Sequence, residues 1–377
     1  MAKLKIFSGP KLDQVCGDRD NNFNLIRIVA AAAVLISHAF PVTLGSAISD
    51  PILEPLIGLS MGWVAVAVFF VISGFLIARS FDTKAHLIDW AVARVLRIFP
   101  GLLVVLVLTV LVMGPLVTTL PLREYFLDPG IATYFLRCFT LVSIQYTLPG
   151  VFESLPHKGE INGSLWTLIH EVLCYMAVLV AGLLGMLRRR VWMSVALLGY
   201  LTFYALTKLD SVEAILIEKF IALRSLSLPF AFGMTLYIWR DKVPVNWWIS
   251  GALAIVAITL YGTAFFIEFF LLWVAYTVFP LAYLPRGWIR KYNLLGDYSY
   301  GFYIYAFPIQ QLMVFIFGAM APWQNMFLSI PATLVCAILS WIWIEKPSLA
   351  MRHRVSLTLR NLQAASRCKS SAKSQNS

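Results

Sequence analysis

Apolar segments of about 20 residues dominate the sequence and recur from residue 24 to residue 344. A helix of about 20 apolar residues is long enough to cross the hydrocarbon layer of a membrane. Eleven segments have this character: 24–44, 61–79, 98–120, 131–148, 165–187, 191–208, 220–239, 246–263, 265–285, 294–319 and 324–344. Because 60% of the residues are hydrophobic and only 13% are charged, we predict an all-α fold, a polytopic transmembrane helical bundle.

Basic residues between the segments predict how many of them cross the membrane, because Lys and Arg favour the cytoplasmic side. Eleven crossings would put Arg188-Arg189-Arg190 outside, whereas ten crossings put this triplet inside. Segment 131–148, which contains Arg137, is therefore predicted to be re-entrant or interfacial. This topology places both termini in the cytoplasm.

The predicted domain organisation is a single membrane domain between two polar tails. Residues 1–22 have no apolar core or cleavage site of a signal peptide, and are interpreted as a cytoplasmic amino-terminal tail. The membrane domain covers 23–350. Residues 351–377 form a basic tail that we predict to be disordered or to lie on the cytoplasmic membrane surface.

Charge and cysteine content argue against two other classes of protein. The net charge of +11 comes from short clusters beside apolar segments, which is typical of topology signals rather than of nucleic-acid binding. The five cysteines form no CxxC pair and no metal-ligand spacing. We therefore expect no nucleic-acid partner, no disulfide framework, no metal and no bound cofactor.

The first apolar segment carries two ionisable residues, Arg27 and His38. Such groups are costly at membrane depth and often mark a functional path. They are eleven residues apart, so they lie on one helix face about 16 Å apart along the axis. His38 has the chemistry of a general base, and the alternative is a buried histidine hydrogen-bonded to a neighbouring helix.

Glu171 is the predicted partner of His38. Counting residues from the outer membrane boundary puts both side chains about 10 Å deep. A carboxylate beside His38 would fix the tautomer of the imidazole and stabilise its protonated form. The alternative is a glutamate that extends to water near the interface. His170 points about 100° away from Glu171 and is not expected to share its site.

Arg94 and Arg97 are assigned to the cytoplasmic turn before the third helix. Three residues apart, two guanidinium groups share a helix face and could bind a phosphate or a carboxylate. Ordinary positive-inside decoration is the alternative. With Arg27 they would form a cationic entrance suited to a donor that has an anionic head and a long arm.

The remaining motifs are interpreted mainly as packing. Ser73 and Gly74 would permit close helix approach, and the stretch Asp297–Pro308 is typical of an aromatic interface belt. Glu345 and Lys346 would form an ion pair at the inner boundary. Residues assigned to acceptor binding or structural support are Trp166, Ser73 and Tyr303.

Taken in order, these motifs resemble those of the acyltransferase 3 family of integral-membrane O-acyltransferases. The matching elements are the Arg27 and His38 spacing, Phe69-Phe-Val-Ile-Ser-Gly-Phe75, Arg94-Val-Leu-Arg97, Ser164-Leu-Trp-Thr-Leu-Ile-His-Glu171 and Glu345-Lys346-Pro347. One element departs from the family, which often has a histidine where this chain has Ala306.

The resemblance implies transfer of an acyl group, most often acetyl, from cytoplasmic acyl-CoA to a hydroxyl of a bacterial surface or secreted glycan. His38 would be the catalytic histidine, and Arg94 and Arg97 would bind the donor. Expected partners are acyl-CoA as co-substrate, a glycan or lipid-linked oligosaccharide acceptor, membrane lipid and glycan-biosynthesis proteins, in the bacterial inner membrane.

Two alternatives use the same residues differently. A transporter or flippase for an anionic or lipid-linked glycan could use the buried charges as a conduction path, although no internal repeat supports this. A membrane scaffold would leave Arg27, His38 and Glu171 as costly groups without a purpose.

Overall fold

The structure is a computed structural model that describes residues 9–17, 20–83, 86–209 and 218–375, apart from the side chains of 218–219 and 365–375. Residues 1–8 and 18–19 of the predicted amino-terminal tail, and 376–377 of the carboxy-terminal tail, lie outside the described residues.

Within these ranges the protein is a bundle of helices without a β-strand. The helices that matter here are α1 (Phe23–Leu44), α2 (Met61–Thr83), α3 (Leu87–Val117), α4 (Pro129–Thr140), α5 (Trp166–Leu183), α6 (Arg190–Leu206), α7 (Glu218–Ile238), α8 (Trp247–Thr259), α9 (Phe266–Tyr283), α10 (Ser299–Phe317), α11 (Pro322–Ser340) and α12 (Arg352–Gln375). Eight described helices are long and apolar enough to cross a membrane, and α6 and α8 are shorter apolar helices. The predicted polytopic helical fold is confirmed, whereas the predicted ten crossings compare with eight helices of sufficient length among the described residues.

Helix α4 explains why segment 131–148 does not count as a crossing. It has 12 residues and is therefore about 18 Å long, too short for a bilayer. It begins where the Asp128 side chain accepts a hydrogen bond from the Gly130 backbone N–H, and it ends at Leu141 in the left-handed region. Tyr134 and Cys138 are buried on its inner side. This geometry agrees with the predicted re-entrant or interfacial piece.

Helix α2 is the centre of the bundle and packs against α1, α5 and α7. It crosses α7 at two glycines, where Gly74 lies against the backbone of Phe230 and Gly233 lies against the backbone of Val71. A methyl group at either glycine would collide with a carbonyl group, so the two backbones approach only because no side chain intervenes. The predicted packing role of Gly74 is confirmed.

Two predicted boundaries differ from the structure. Helix α3 begins at Leu87 rather than near residue 98, so Arg94 and Arg97 lie inside a helix and not in a preceding turn. The residues before 98 mix polar with apolar side chains, so hydropathy alone marks the start too late.

The carboxy-terminal tail is the second difference, because the structure places Arg352–Gln375 in helix α12, which excludes the disordered alternative and leaves the surface-lying one open. The stretch contains neither glycine nor proline, so nothing in it breaks a helix. Helix α12 packs on α3, where Arg360 lies 3.6 Å from Asp89.

Candidate active site

A cavity of about 610 Å³ opens between α1, α2, α3, α5 and α10. Arg27, Arg94 and Arg97 all line it, so the structure brings together the three arginines assigned to one entrance. Arg79 and Arg352 also line it, against two carboxylates, Glu171 and Asp297. The cavity is therefore cationic overall.

Asp297 binds two of these arginines at once. Its Oδ2 lies 3.2 Å from Arg27 and 2.6 Å from Arg97, and Ser299 donates a hydrogen bond to its other oxygen. Burial raises the pKa of Asp297, but Arg97, Arg27 and the Ser299 hydrogen bond outweigh this and hold it below the usual value. Asp297 is therefore a buried counter-ion, not part of an interface belt as expected.

Glu345 neutralises Arg97 further, at 3.5 Å, and accepts a hydrogen bond from Ser340. Glu345 is 2% exposed, whereas the neighbouring Lys346 is exposed to solvent. The prediction of an ion pair between Glu345 and Lys346 is wrong. Glu345 ends the π-helical turn Trp341–Glu345, and its carboxylate points inward to Arg97 on α3.

Arg94 is different from the other two predicted arginines. None of the ion pairs formed by the described residues includes it, and its Nε is buried without a hydrogen-bond partner among them. Glu171 and Tyr175 act on it electrostatically, not through a direct hydrogen bond. Arg94 thus presents to the cavity a positive charge that no carboxylate of the described residues pairs with.

Glu171 lines the same cavity and accepts hydrogen bonds from two hydroxyl groups. Ser73 donates a hydrogen bond to its Oε1 at 3.0 Å, and Tyr175 donates another to the same oxygen. Ser73 therefore has a polar contact with the predicted catalytic carboxylate in addition to its place in the α2 packing. His170 points away, with its ring against Trp166.

Tyr303 and Thr167 also line the cavity, and their hydroxyl groups are 2.7 Å apart. The Phe69 ring packs against Tyr303 at a centroid distance of 5.8 Å. Trp166 is not among the described residues that line the cavity, because its ring faces His170.

His38, on α1, is not among the described residues that line this cavity. It faces α10 one helical turn beyond Tyr303. Its ring packs nearly perpendicular to the Phe307 ring at a centroid distance of 5.3 Å, and Phe307 lies four residues after Tyr303 on α10. The described carboxylates that act on His38 are Glu160 and Asp50. The structure does not pair His38 with Glu171, although the sequence predicted this pair. The prediction rested on equal distances along two helices, but His38 on α1 faces α10, whereas Glu171 on α5 faces α2.

A second histidine, His157, contacts the same Phe307 ring at 5.5 Å. Its Nε2 pairs with Glu160. The sequence reasoning missed both residues, together with Asp297 and Tyr175. The available signal was the His157-Lys-Gly-Glu160 spacing immediately before the Asn162-Gly163-Ser164 turn that leads into α5.

The sequence is similar to one protein family and to two curated proteins. The family model described as "Acyltransferase domain" (acyltransferase 3) matches residues 20–345. A protein of Shigella phage Sf6 named "O-acetyl transferase" is 30% identical over 356 residues, covering 87% of this chain and 96% of that protein. "Nodulation protein 10" of Rhizobium leguminosarum bv. viciae is 30% identical over 386 residues, covering 95% of this chain and all of that protein (100%). No solved structure matches.

Proposed function

The chain is an acyltransferase that belongs to the acyltransferase 3 family, and from this premise we propose that it moves an acetyl group from cytoplasmic acyl-CoA to a hydroxyl group of a glycan. The observation that carries the proposal is the similarity, over 87% of the chain, to a protein named O-acetyl transferase. An acetylated glycan is a product compatible with that name.

The cationic cavity supports a donor with several negative charges. The phosphates of acyl-CoA bind at the arginine end, where Arg94 offers the guanidinium that no ion pair consumes. Arg27 and Arg97 are held in place by Asp297 and contribute as a fixed positive field. The pantetheine arm then reaches toward the end lined by Thr167 and Tyr303.

His38 supplies the proton chemistry. The acceptor hydroxyl attacks the thioester carbonyl carbon, a C–O bond forms, the C–S bond breaks, and His38 carries the proton from the hydroxyl to the departing thiolate. Phe307, which His38 contacts, is one helical turn from Tyr303, so a thioester at the end of the cavity lined by Thr167 and Tyr303 has a short distance left to cover.

Glu171 acts in the donor cavity. Its hydrogen bonds from Ser73 and Tyr175 fix its carboxylate, and its charge orients Arg94. Glu171, Ser73 and Tyr303 thus position the acyl end of the donor, and Trp166 supports α5 by packing on His170.

The protein is a multi-pass membrane protein, and we place it in the bacterial inner membrane with both termini cytoplasmic. Arg79 and Arg352 at the cavity mouth, and Arg188, Arg189 and Arg190 between α5 and α6, then all face the cytoplasm, where acyl-CoA is made. Cysteines introduced singly at exposed positions 189 and 153 should label from opposite sides of intact cells.

The test is acyl transfer by purified protein in lipid nanodiscs. Radiolabelled acetyl-CoA is given with a panel of oligosaccharides built from neutral hexoses, deoxyhexoses and N-acetylhexosamines. Label should appear on at least one acceptor, and His38→Ala should lower kcat by a factor of about 10² to 10⁴. Exposed His353→Ala is the matched control and should keep full activity. If wild-type protein labels no acceptor but moves a lipid-linked glycan across a vesicle membrane, the transporter alternative replaces this proposal.

A further inference from the structure

We propose that His157 and Glu160 form the outer half of the acceptor site, so that a polyhydroxylated acceptor binds between the imidazoles of His38 and His157 beside the ring of Phe307. The inference rests on the proposed function and extends it to the acceptor: it requires a free hydroxyl group next to the one that is acylated.

The two histidines are arranged alike around one aromatic ring. Their rings meet Phe307 at 5.3 and 5.5 Å, with interplanar angles of 81° and 78°. In both, Nδ1 is buried and has no hydrogen-bond partner among the residues that the structure describes. A buried imidazole nitrogen without a partner costs free energy, and two such nitrogens at one ring indicate a polar ligand.

The pairing with Glu160 determines what His157 can offer. A carboxylate accepts and cannot donate, so it holds the proton of His157 on Nε2. The Nδ1 atom of the neutral ring then carries a lone pair and can accept a hydrogen bond from a hydroxyl group. Glu160 acts through His157 and is a positioning residue, whereas His157 contacts the acceptor.

The loop that carries this pair is fixed to α10. Gln311 donates from Nε2 to the backbone oxygens of His157 and Glu160, at 2.8 and 2.7 Å. Asn162 donates to the backbone oxygen of Ile304 at 2.9 Å. His157 therefore keeps its position relative to Phe307 and His38, as a specificity-determining residue requires.

Both side chains remain reachable from solvent. The His157 side chain is 12% exposed and that of Glu160 is 25% exposed. An acceptor could thus approach from the outer side, opposite the arginine end of the cavity, without passing the donor.

The chemistry fits a vicinal diol. The hydroxyl that loses its proton to His38 becomes the nucleophile, and the neighbouring hydroxyl donates to Nδ1 of His157. Removing that neighbour should weaken binding even though it takes no part in bond formation, because a site built to bind a hydroxyl group rejects an analogue without one.

The experiment uses full-length protein and the best acceptor found in the oligosaccharide panel. His157→Ala should raise the KM for this acceptor at least tenfold and leave the KM for acetyl-CoA unchanged. His157→Asn, whose amide oxygen stands near the place of Nδ1, should recover part of the loss, and His157→Gln should not. Exposed Lys158→Ala and Glu153→Gln are controls and should match wild type.

The decisive experiment uses a deoxy acceptor, which lacks the hydroxyl group next to the one that is acylated. If His157 binds the neighbouring hydroxyl, the acceptor that lacks it should have the same KM with wild type and with His157→Ala. Glu160→Gln should move the pH profile of kcat/KM for the intact acceptor but not for the deoxy acceptor. Acceptor should also protect His157 from carbethoxylation by diethyl pyrocarbonate, measured by mass spectrometry.

The outcomes separate this inference from the proposed function. If wild type transfers acetyl groups while His157→Ala keeps the wild-type acceptor KM and His157 is not protected, the inference is overturned and the acyltransferase function stands. If wild type labels no acceptor, the proposed function fails and this inference fails with it. Folding of each variant is checked by its affinity for acetyl-CoA.

Discussion

The two ends of the bundle, called inner and outer after the proposed topology, differ in how their buried polar groups are paired. At the inner end, Arg27 and Arg97 share Asp297, and Arg97 also meets Glu345. At the outer end, His38 and His157 border one phenylalanine, and each has an unpartnered Nδ1 among the described residues. The inner end is largely satisfied by the protein itself, whereas the outer end is left unsatisfied.

Arg94 shows that the same contrast exists within the inner end. It lies one turn from Arg97 on α3 and lines the same cavity, yet of these two arginines only Arg97 has a carboxylate of the described residues within an ion-pair distance. Groups that are paired hold the structure together, and groups that are unpaired are available to a ligand. Substitutions of paired and unpaired groups should therefore have different effects, the former on stability and the latter on ligand binding.

The largest expected effect is on stability, from Arg97→Ala. Removal of this guanidinium leaves Glu345 buried without its cation and Asp297 with only Arg27, and breaking a buried ion pair costs about 3 kcal/mol. The unfolding midpoint in detergent should fall clearly below that of wild type. Exposed Arg189→Ala is the control and should leave the midpoint unchanged. An Arg97→Ala protein as stable as wild type would remove the structural role of the inner ion pairs.

Arg94→Ala should have the opposite profile. Arg94 forms no ion pair with the described residues, so its removal breaks none and the unfolding midpoint should stay the same or rise. The Kd for acetyl-CoA should increase about tenfold to hundredfold, because a hydrogen bond to a charged group contributes about 1.5 to 3 kcal/mol. Arg94→Lys should restore part of the affinity, since it restores the charge but not the planar fork. A stability loss without a change in Kd would reverse the assignment.

Acid should weaken the inner end through Asp297. Its folded-state pKa is lower than its unfolded-state value, so its contribution to stability is present at neutral pH and is lost as the pH falls through the lowered pKa. Wild type should therefore exceed Asp297→Asn in unfolding midpoint by a constant amount above about pH 5, and the gap should narrow below it. Midpoints measured across this range decide the matter, and a gap that widens in acid would contradict the prediction.

The polytopic helical bundle could be predicted from the sequence, because it follows from the length and hydropathy of the apolar segments. The same reasoning recognised that 131–148 does not cross, from the placement of Arg188–Arg190. It also selected Arg27, Arg94 and Arg97, which the structure brings into one cavity.

The partners of these residues could not be predicted, because depth along a helix does not fix the direction in which a side chain points. Glu171 and His38 have similar depths but face α2 and α10 respectively. Asp297 lies at the start of the apolar segment 294–319 and Glu160 lies between two such segments, and the sequence at neither place has a pattern that distinguishes a buried counter-ion from a solvated charge. The role of Asp297 depends on its tertiary contact with Arg97, 200 positions away, and the backbone of Glu160 is held by Gln311, 151 positions away.

The smallest predicted effect is at the outer end, from Gly163→Ala. A Cβ atom there would lie 2.8 Å from Cε2 of Phe307 and 3.1 Å from Cζ, so the ring must move by a few tenths of an ångström. Because His38 and His157 both pack on this ring, the shift should raise the KM for acceptor by about fivefold. Donor affinity and the unfolding midpoint should change little.

Gly199→Ala is the matched control, since apart from its chain neighbours and the backbone of α6 itself no atom of the described residues lies within 4 Å of the added Cβ. Phe307→Leu in the Gly163→Ala background tests the mechanism, because a smaller side chain relieves the contact and should return the acceptor KM toward that of Phe307→Leu alone. If Gly163→Ala changed donor binding instead, Phe307 would belong to the donor cavity. The unsatisfied histidines would then face the inner site, and the separation of the two ends would have to be abandoned.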